Sequence, residues 1–292
     1  MNPFAYHTPE TQEEVLALLH EHGDNAKLMA GGTALVIMMK QRLVVPETLI
    51  SLHRLRGLTA VQETNGSLQL GALLTHRAVE TAPLVRAHLP VLAETYHQVA
   101  TVRIRNVATV GGGLAHADPN QDPPVTLLAL DAQVQLDSVG GSRTVPLADF
   151  FTDYYETLLR PDELLTAIRV PIPPPHTGNV HVKFLPRTAD DYATVGVAAT
   201  VQVDPATGTC QDCRIALGSV GSTPLRAQQA EAVVRGQRFT PELLREAAAV
   251  AQQQTDPISD TRGSADYKRA MAGVFVRRAL EQAWQQALTT AS

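Results

Sequence analysis

The sequence predicts a two-domain α+β chain, and three observations carry that expectation. At 292 residues the chain exceeds the ~100 to 200 residues typical of one domain. A βαβ-like unit in the first fifty residues gives way at Leu58 to strands spaced as hairpins and then to helices. A proline run, Pro171-Ile172-Pro173-Pro174-Pro175-His176-Thr177-Gly178, later interrupts the chain as a stiff, extended spacer. The expected boundary lies there, with a first domain over 1–176, built of subdomains of about 1–57 and 58–176, and a C-terminal domain over 178–292.

Composition narrows the function classes. Hydrophobic residues at 44% and charged residues at 18% describe a folded chain, since disordered chains combine low hydrophobicity with high net charge. The net charge of −5 comes without any run of five or six like charges, so neither nucleic acid nor an anionic membrane surface is an expected partner. The most apolar early stretch, Leu35 to Met39, ends in Lys40-Gln41-Arg42 and is far short of the ~20 residues of a spanning helix. Met1-Asn2-Pro3-Phe4 lacks a basic region followed by an apolar run, so a cytoplasmic location is expected. Cys210 and Cys213 are the only cysteines, too few to hold an iron–sulfur cluster on thiolates alone. Their C-x-x-C spacing follows a Thr207-Gly208 turn and opens a strand rather than a helix, which predicts two ordinary thiols on opposite faces.

The elements follow from local signals. Thr11 with Glu14 makes a capping box, Val15, Leu18 and Leu19 form an apolar face, and Gly23 stops that helix. A short strand over Lys27 to Ala30 runs into Gly31-Gly32-Thr33, a buried helix follows from Leu35, and Thr48 to Leu52 completes a βαβ-like cradle. Asn65-Gly66 between two alternating runs predicts a hairpin. Two helices starting near Thr75 and Pro90 are expected next, and then a long irregular stretch, Thr101 to Pro124, whose length inside a compact domain implies function. Strands are expected at 133–138, 143–145 and 164–170, then at 180–185, 194–203 and 213–217, before three helices. In the last, Ser264 is the expected N-cap, with Tyr267, Met271, Phe275 and Ala279 on one ridge beside Val276, Leu280, Trp284 and Leu288.

Two glycine loops, Ala30-Gly31-Gly32-Thr33 and Thr109-Val110-Gly111-Gly112-Gly113, are the candidates for chemistry. Consecutive glycines let backbone N–H groups approach an anion, and a threonine hydroxyl adds a donor. Neither loop continues as a P-loop, and His116 stands where the last glycine of a dinucleotide fingerprint belongs. His20-Glu21-His22 lacks the H-E-x-x-H spacing of a zinc site, and Asp190-Asp191 reads as a turn or cap.

Taken together, Lys27-Leu28-Met29-Ala30-Gly31-Gly32-Thr33-Ala34-Leu35, Ile104-Arg105-Asn106, Thr109-Val110-Gly111-Gly112-Gly113, Asp118-Pro119 with Asp122, and Arg187 with Asp190-Asp191-Tyr192-Ala193 resemble the FAD-binding medium subunit of the molybdenum hydroxylases. That family includes aerobic carbon monoxide dehydrogenase and xanthine dehydrogenase, and the pattern is closest to the carbon monoxide dehydrogenase type. The resemblance is collinear from residue 1 to about 288. It implies a two-part FAD-binding domain of the p-cresol methylhydroxylase superfamily type, followed by a C-terminal domain of a small antiparallel sheet plus helices.

The resemblance also implies residue roles. Ala30, Gly31, Gly32, Thr33, Ala34 and Leu35 match the loop around the FAD diphosphate, and Lys27, Leu28 and Met29 match the strand leading into it. Thr109, Gly112 and Gly113 match the second phosphate-side loop; His116, between that loop and Asp118, reads from its position alone either as a cofactor neighbour or as a polar loop residue. Asp122 matches an acidic contact to FAD, Leu165 an apolar residue against the isoalloxazine, Lys183 a cation at the flavin's polar edge, and Tyr192 an aromatic near its ring. Two departures stand out: Gly113 replaces the usual Asn of the second loop, and Ala34 stands where a polar residue is common. Noncovalent FAD is expected, because neither loop has a His or Cys within its turn to anchor it.

With no metal cluster of its own, such a chain cannot hydroxylate a substrate alone. The resemblance implies a large subunit holding the molybdenum cofactor and a small subunit holding two [2Fe–2S] clusters, in a dimer of heterotrimers that can associate with the inner membrane face. The rival expectations are a self-sufficient flavoprotein oxidase or dehydrogenase of the same fold, and a noncatalytic module that has lost FAD. Neither the substrate nor the terminal acceptor, whether quinone, NAD or another, is legible in this chain.

Overall fold

The computed structural model describes residues 2–186 and 192–289, so Arg187, Asp190 and Asp191 lie outside the described residues. The first subdomain is a three-stranded parallel sheet of β1 (Ala5–His7), β2 (Ala26–Met29) and β3 (Thr48–Ser51), in the order β1-β3-β2, with α1 (Gln12–His22) and α2 (Leu35–Lys40) between the strands. The Thr11 and Glu14 capping box starts α1 as its sequence dictates, and Val15, Leu19 and Ile50 lie in a small core beneath it.

A five-stranded antiparallel sheet forms the second subdomain. Its strands are β4 (Val61–Thr64), β5 (Ser67–Gly71), β6 (Gln133–Ser138), β7 (Gly141–Pro146) and β10 (Leu164–Pro171), in the order β4-β5-β10-β6-β7, with β8 (Phe151–Asp153) and β9 (Glu156–Thr157) as a separate ribbon. Asn65 and Gly66 have φ of 50° and 70°, the left-handed pair that a two-residue hairpin demands. Between β5 and β6 run α3 (His76–Thr81), α4 (Pro83–His88), α5 (Pro90–His97), α6 (Val102–Arg105), α7 (Val110–His116) and α8 (Asp122–Ala129). The expected irregular stretch from Thr101 to Pro124 is therefore mostly helical, in pieces too short and too glycine-rich for propensity to reveal. Three helices, not two, occupy 76–97, because Pro83 and Pro90 each begin a new one.

The C-terminal part is a four-stranded antiparallel sheet, β11 (Thr177–Phe184), β12 (Val195–Val203), β13 (Cys210–Gly218) and β14 (Leu225–Arg226), followed by α9 (Gln228–Val234), α10 (Pro241–Gln253) and α11 (Ala265–Thr289). β12 is buried along nearly its whole length because helices cover both faces of the sheet. Val197, Val201 and Val203 join a core with α10 and α11, whereas Ala198 joins the core of the first domain and the Thr200 hydroxyl donates to the Ala129 carbonyl of α8 at 3.0 Å. Gly178 is required by closeness, since a Cβ there would stand 1.8 Å from the Ala283 carbonyl oxygen of α11.

One expectation fails in this half and another holds except at its ends. A β-bulge shifts the register so that Val203 pairs with Cys210 and Val201 with Cys213, placing both thiols in one core instead of on opposite faces. Both cysteines are free and buried, and a hydrogen bond with Cys210 together with burial pushes the Cys213 thiol well above its usual range, away from the reactive thiolate. Ser264 caps α11 as expected, but Tyr267 and Leu288 are exposed. The rest of the expected face holds, with Phe275, Val276, Ala279 and Leu280 buried and Met271 and Trp284 packed against the same core, and it is extended by Ala272, Ala283 and Lys268, whose ammonium pairs with Asp260 at 2.8 Å.

Candidate functional site

The two glycine loops meet. A Cβ on Gly31 would lie 2.2 Å from the Val107 carbonyl oxygen, and one on Gly112 would lie 3.7 Å from the Ala30 Cβ. The segment leading into the second loop therefore packs directly on the first, and only glycine permits that approach at position 31. Gly32 adds a turn requirement, with φ of 69° in the left-handed region.

Their backbone donors differ. From Gly31 to Leu35, five successive N–H groups have no carbonyl or side-chain acceptor among the described residues. Ala34, the N-cap of α2, offers no side-chain cap, so these donors stay open at the strand-to-helix turn. The second loop is closed on itself: Val110 donates to the Leu74 carbonyl at 2.9 Å, Gly111 to Ala72 at 2.8 Å, and Gly113 to Thr109 at 2.9 Å. The Thr109 hydroxyl accepts from the Gly112 N–H at 3.2 Å, capping α7. Of that loop only Gly112 is exposed, so its contribution is surface and shape more than free donors.

Support for the second loop comes from behind it. The Thr75 hydroxyl caps α3 and a bridge joins Thr75 to Thr109. His76, buried at 5% exposure, lies against Tyr96 and beside the Thr109 backbone, and burial lowers its pKa to about 4. Arg105 donates to Glu80 and to the carbonyls of Val99 and Ala100, fixing the turn before α6. Glu80 also holds Arg77 and His97. Burial would raise the Glu80 pKa, but these partners outweigh it and keep the carboxyl below its usual range.

Downstream residues bring the C-terminal part to the same place. Gln121 donates to the Gly113 carbonyl at 3.0 Å, and its neighbour Asp122 pairs with Lys183 of β11 at 2.7 Å. The side chains of Asp122 and Lys183 are 5% and 4% exposed, and the ammonium donates also to the Gln98 carbonyl. Burial raises the Asp122 pKa to about 6 in spite of the nearby ammonium. Asp118, itself buried, hydrogen-bonds the hydroxyls of Tyr155 and Tyr192, and burial raises both phenol pKa values. The Arg262 guanidinium lies 5.4 Å from the centre of the Tyr192 ring, and His116 packs 5.2 Å from Tyr155.

The fold thus joins the first loop to the second through Gly31 and Gly112, the second loop to α8 through Gln121, and α8 and the segment before it to residues beyond the proline run through the Asp122–Lys183 pair and the contact of Asp118 with Tyr192. Lys27, exposed on β2, and Leu28 and Met29 lead into the first loop. Leu165 is 5% exposed on β10, inside the core. Gln121, Tyr155 and Arg262, which no local signal singles out, contact Gly113, Asp118 and Tyr192 through tertiary structure alone. The donor set fits a dinucleotide cofactor: open amides for a diphosphate, a polar junction of carboxylate, ammonium and phenol groups, and a glycine surface that a Cβ would fill.

The family model for the FAD-binding domain in molybdopterin dehydrogenase matches residues 2–173, and that for the carbon monoxide dehydrogenase flavoprotein C-terminal domain matches residues 180–283. The carbon monoxide dehydrogenase medium chain of Hydrogenophaga pseudoflava is 40% identical over 281 residues, covering 96% of this chain and 97% of the relative. Subunit alpha of the 6-hydroxypseudooxynicotine dehydrogenase complex of Paenarthrobacter nicotinovorans is 34% identical over 287 residues, covering 98% and 96%. A solved chain of carbon monoxide dehydrogenase from Hydrogenophaga pseudoflava, in a form lacking the molybdenum-pyranopterin moiety, matches with a TM-score of 0.94 and 41% identity over 98% of this chain and 99% of that one. No helix among the described residues is long and apolar enough to cross a membrane.

Proposed function

This chain belongs to the family of FAD-binding flavoprotein subunits of the molybdopterin dehydrogenases, and we propose that it carries FAD as the electron-transfer subunit of a multisubunit molybdenum hydroxylase of the carbon monoxide dehydrogenase type. The observation that carries this reading is the row of five N–H groups from Gly31 to Leu35 that find no acceptor among the described residues, in a loop against which the second loop packs. Bound there, FAD supplies the ability to take up electrons singly and to release them in pairs. Ala30 to Leu35 hold the diphosphate, Thr109, Gly112 and Gly113 shape the opposite wall, and Asp122, Lys183, Tyr192, His116 and Leu165 serve the flavin side. The Lys183 ammonium favours negative charge on a nearby ring, and its pairing with Asp122 fixes where that charge stands.

The donors are subunits that this chain does not contain: a small [2Fe–2S] subunit and a large molybdenum-cofactor subunit, assembled as a dimer of heterotrimers in the cytoplasm. Relatives named for carbon monoxide and for a nicotine derivative share this whole chain at 34–40% identity, which supports placing substrate choice in the large subunit. The division into 1–176 and 178–292 makes the cofactor site a junction of two domains. Purifying the chain tests the reading: one FAD per chain is expected, released into the supernatant by acid precipitation and reduced by a reduced [2Fe–2S] partner. Flavin retained on the precipitated protein contradicts noncovalent binding, and turnover of a substrate without partners would favour a self-sufficient oxidase.

A further inference from the structure

Position 113 has no side chain, yet the space above it is filled. A Cβ on Gly113 would lie 3.0 Å from the Gln121 side-chain oxygen Oε1 and 3.6 Å from His76 Nε2. Gln121 occupies the N-cap position of α8 but makes no capping bond there. Its side chain instead folds back over α7, where Nε2 donates to the Gly113 carbonyl at 3.0 Å. The amide is half-buried, beside exposed Gly112 and in sequence next to Asp122. A glutamine at an N-cap has no intrinsic preference for this conformation, and the bond to Gly113 commits only its nitrogen.

Resting on the cofactor reading above, we infer that Gln121 is a cofactor-binding residue that supplies, from the start of α8, the side-chain amide that position 113 of the second loop lacks. Nε2 anchors the group to the loop, and Oε1 accepts a hydrogen bond from a hydroxyl of the bound FAD. Buried His76 bounds the same space, its Nε2 3.6 Å from where a Gly113 Cβ would stand.

A double-mutant cycle tests this, with FAD affinity measured by titrating the deflavinated full chain and melting temperature measured on the flavin-free forms. Gln121→Ala is expected to weaken FAD binding about tenfold, the scale of one hydrogen bond, while the flavin-free melting temperature stays within about 2 °C. Made together with Gly113→Asn, whose amide can take over the same space, Gln121→Ala is expected to cost less than about threefold. An equal cost in both backgrounds, no cost in the first, or a parallel fall in flavin-free stability would each overturn the inference and leave Gln121 a structural anchor. If the parent chain takes up no FAD at all, the cofactor reading fails and this inference fails with it; flavin bound by the parent separates the two cases.

Discussion

The two glycine loops look alike in sequence and act differently in the fold. The first, Ala30 to Leu35, leaves five N–H groups open and depends on glycine for a left-handed turn at Gly32 and a close approach at Gly31. In the second, Thr109 to Gly113, the N–H groups of Val110 to Gly113 are spent on the carbonyls of Ala72 and Leu74 and on Thr109, and Gly111 is needed because a Cβ would lie 2.6 Å from the Ala72 Cβ. Glycine richness alone therefore does not identify an anion cradle. What distinguishes one is whether the surrounding chain has already consumed the donors.

Breaking the contact between the loops should have the largest effect. Gly31→Ala drives a Cβ into the Val107 carbonyl, a backbone atom that cannot swing aside, and should cost about 3 kcal/mol or more of stability. Thermal unfolding would show a fall of roughly 6 °C or more, together with loss of FAD. Gly32→Val tests the first loop with less disturbance of packing. Its nearest neighbours would be the Val36 and Met29 side chains, but a β-branched residue resists φ of 69°. FAD affinity should fall on the order of 100-fold as the donors turn away.

The same measurement on Gly112→Ala sharpens the contrast. That Cβ would stand 2.7 Å from the Thr109 hydroxyl oxygen and displace the α7 cap, which should weaken FAD only about tenfold because no open donor is lost. Equal losses from Gly32→Val and Gly112→Ala would erase the distinction between the loops.

Acid should act weakly, and on the second loop's support. Burial lowers the His76 pKa from 6.5 to about 4, so between those values the folded chain binds fewer protons there than the unfolded chain. The stability present above pH 6.5 is thus lost as pH falls through that window. Asp122, raised to about 6, works in the opposite sense by favouring the folded state as pH falls. Comparing the parent with His76→Gln cancels that shared contribution. The variant should lose less stability between about pH 7 and 5, by on the order of 1 kcal/mol in denaturant melts.

Legibility in the sequence followed locality. The capping box at Thr11, the Asn65-Gly66 hairpin and the strand running into Gly31-Gly32-Thr33 are local signals, and the fold keeps them. The helical state of α7 is hidden because it carries three glycines and is held by the carbonyls of Ala72 and Leu74, much farther back along the chain than any local pattern reaches. The bulge that brings Cys210 and Cys213 to one side is a single extra residue in a ladder, which spacing alone hides. The family resemblance singles out Lys183 and Asp122, but their pairing across the proline run is not legible in the sequence.

On the proposed function, the first loop, not the second, presents its backbone donors to the cofactor. Amide resonances of the 15N-labelled, deflavinated chain, followed as FAD is added, test it most directly. The largest shifts are expected at the N–H groups of Gly31 to Leu35, with small ones at Gly111 and Gly113, whose partners are internal. Unchanged resonances from Gly31 to Leu35 in a chain that binds FAD would contradict it.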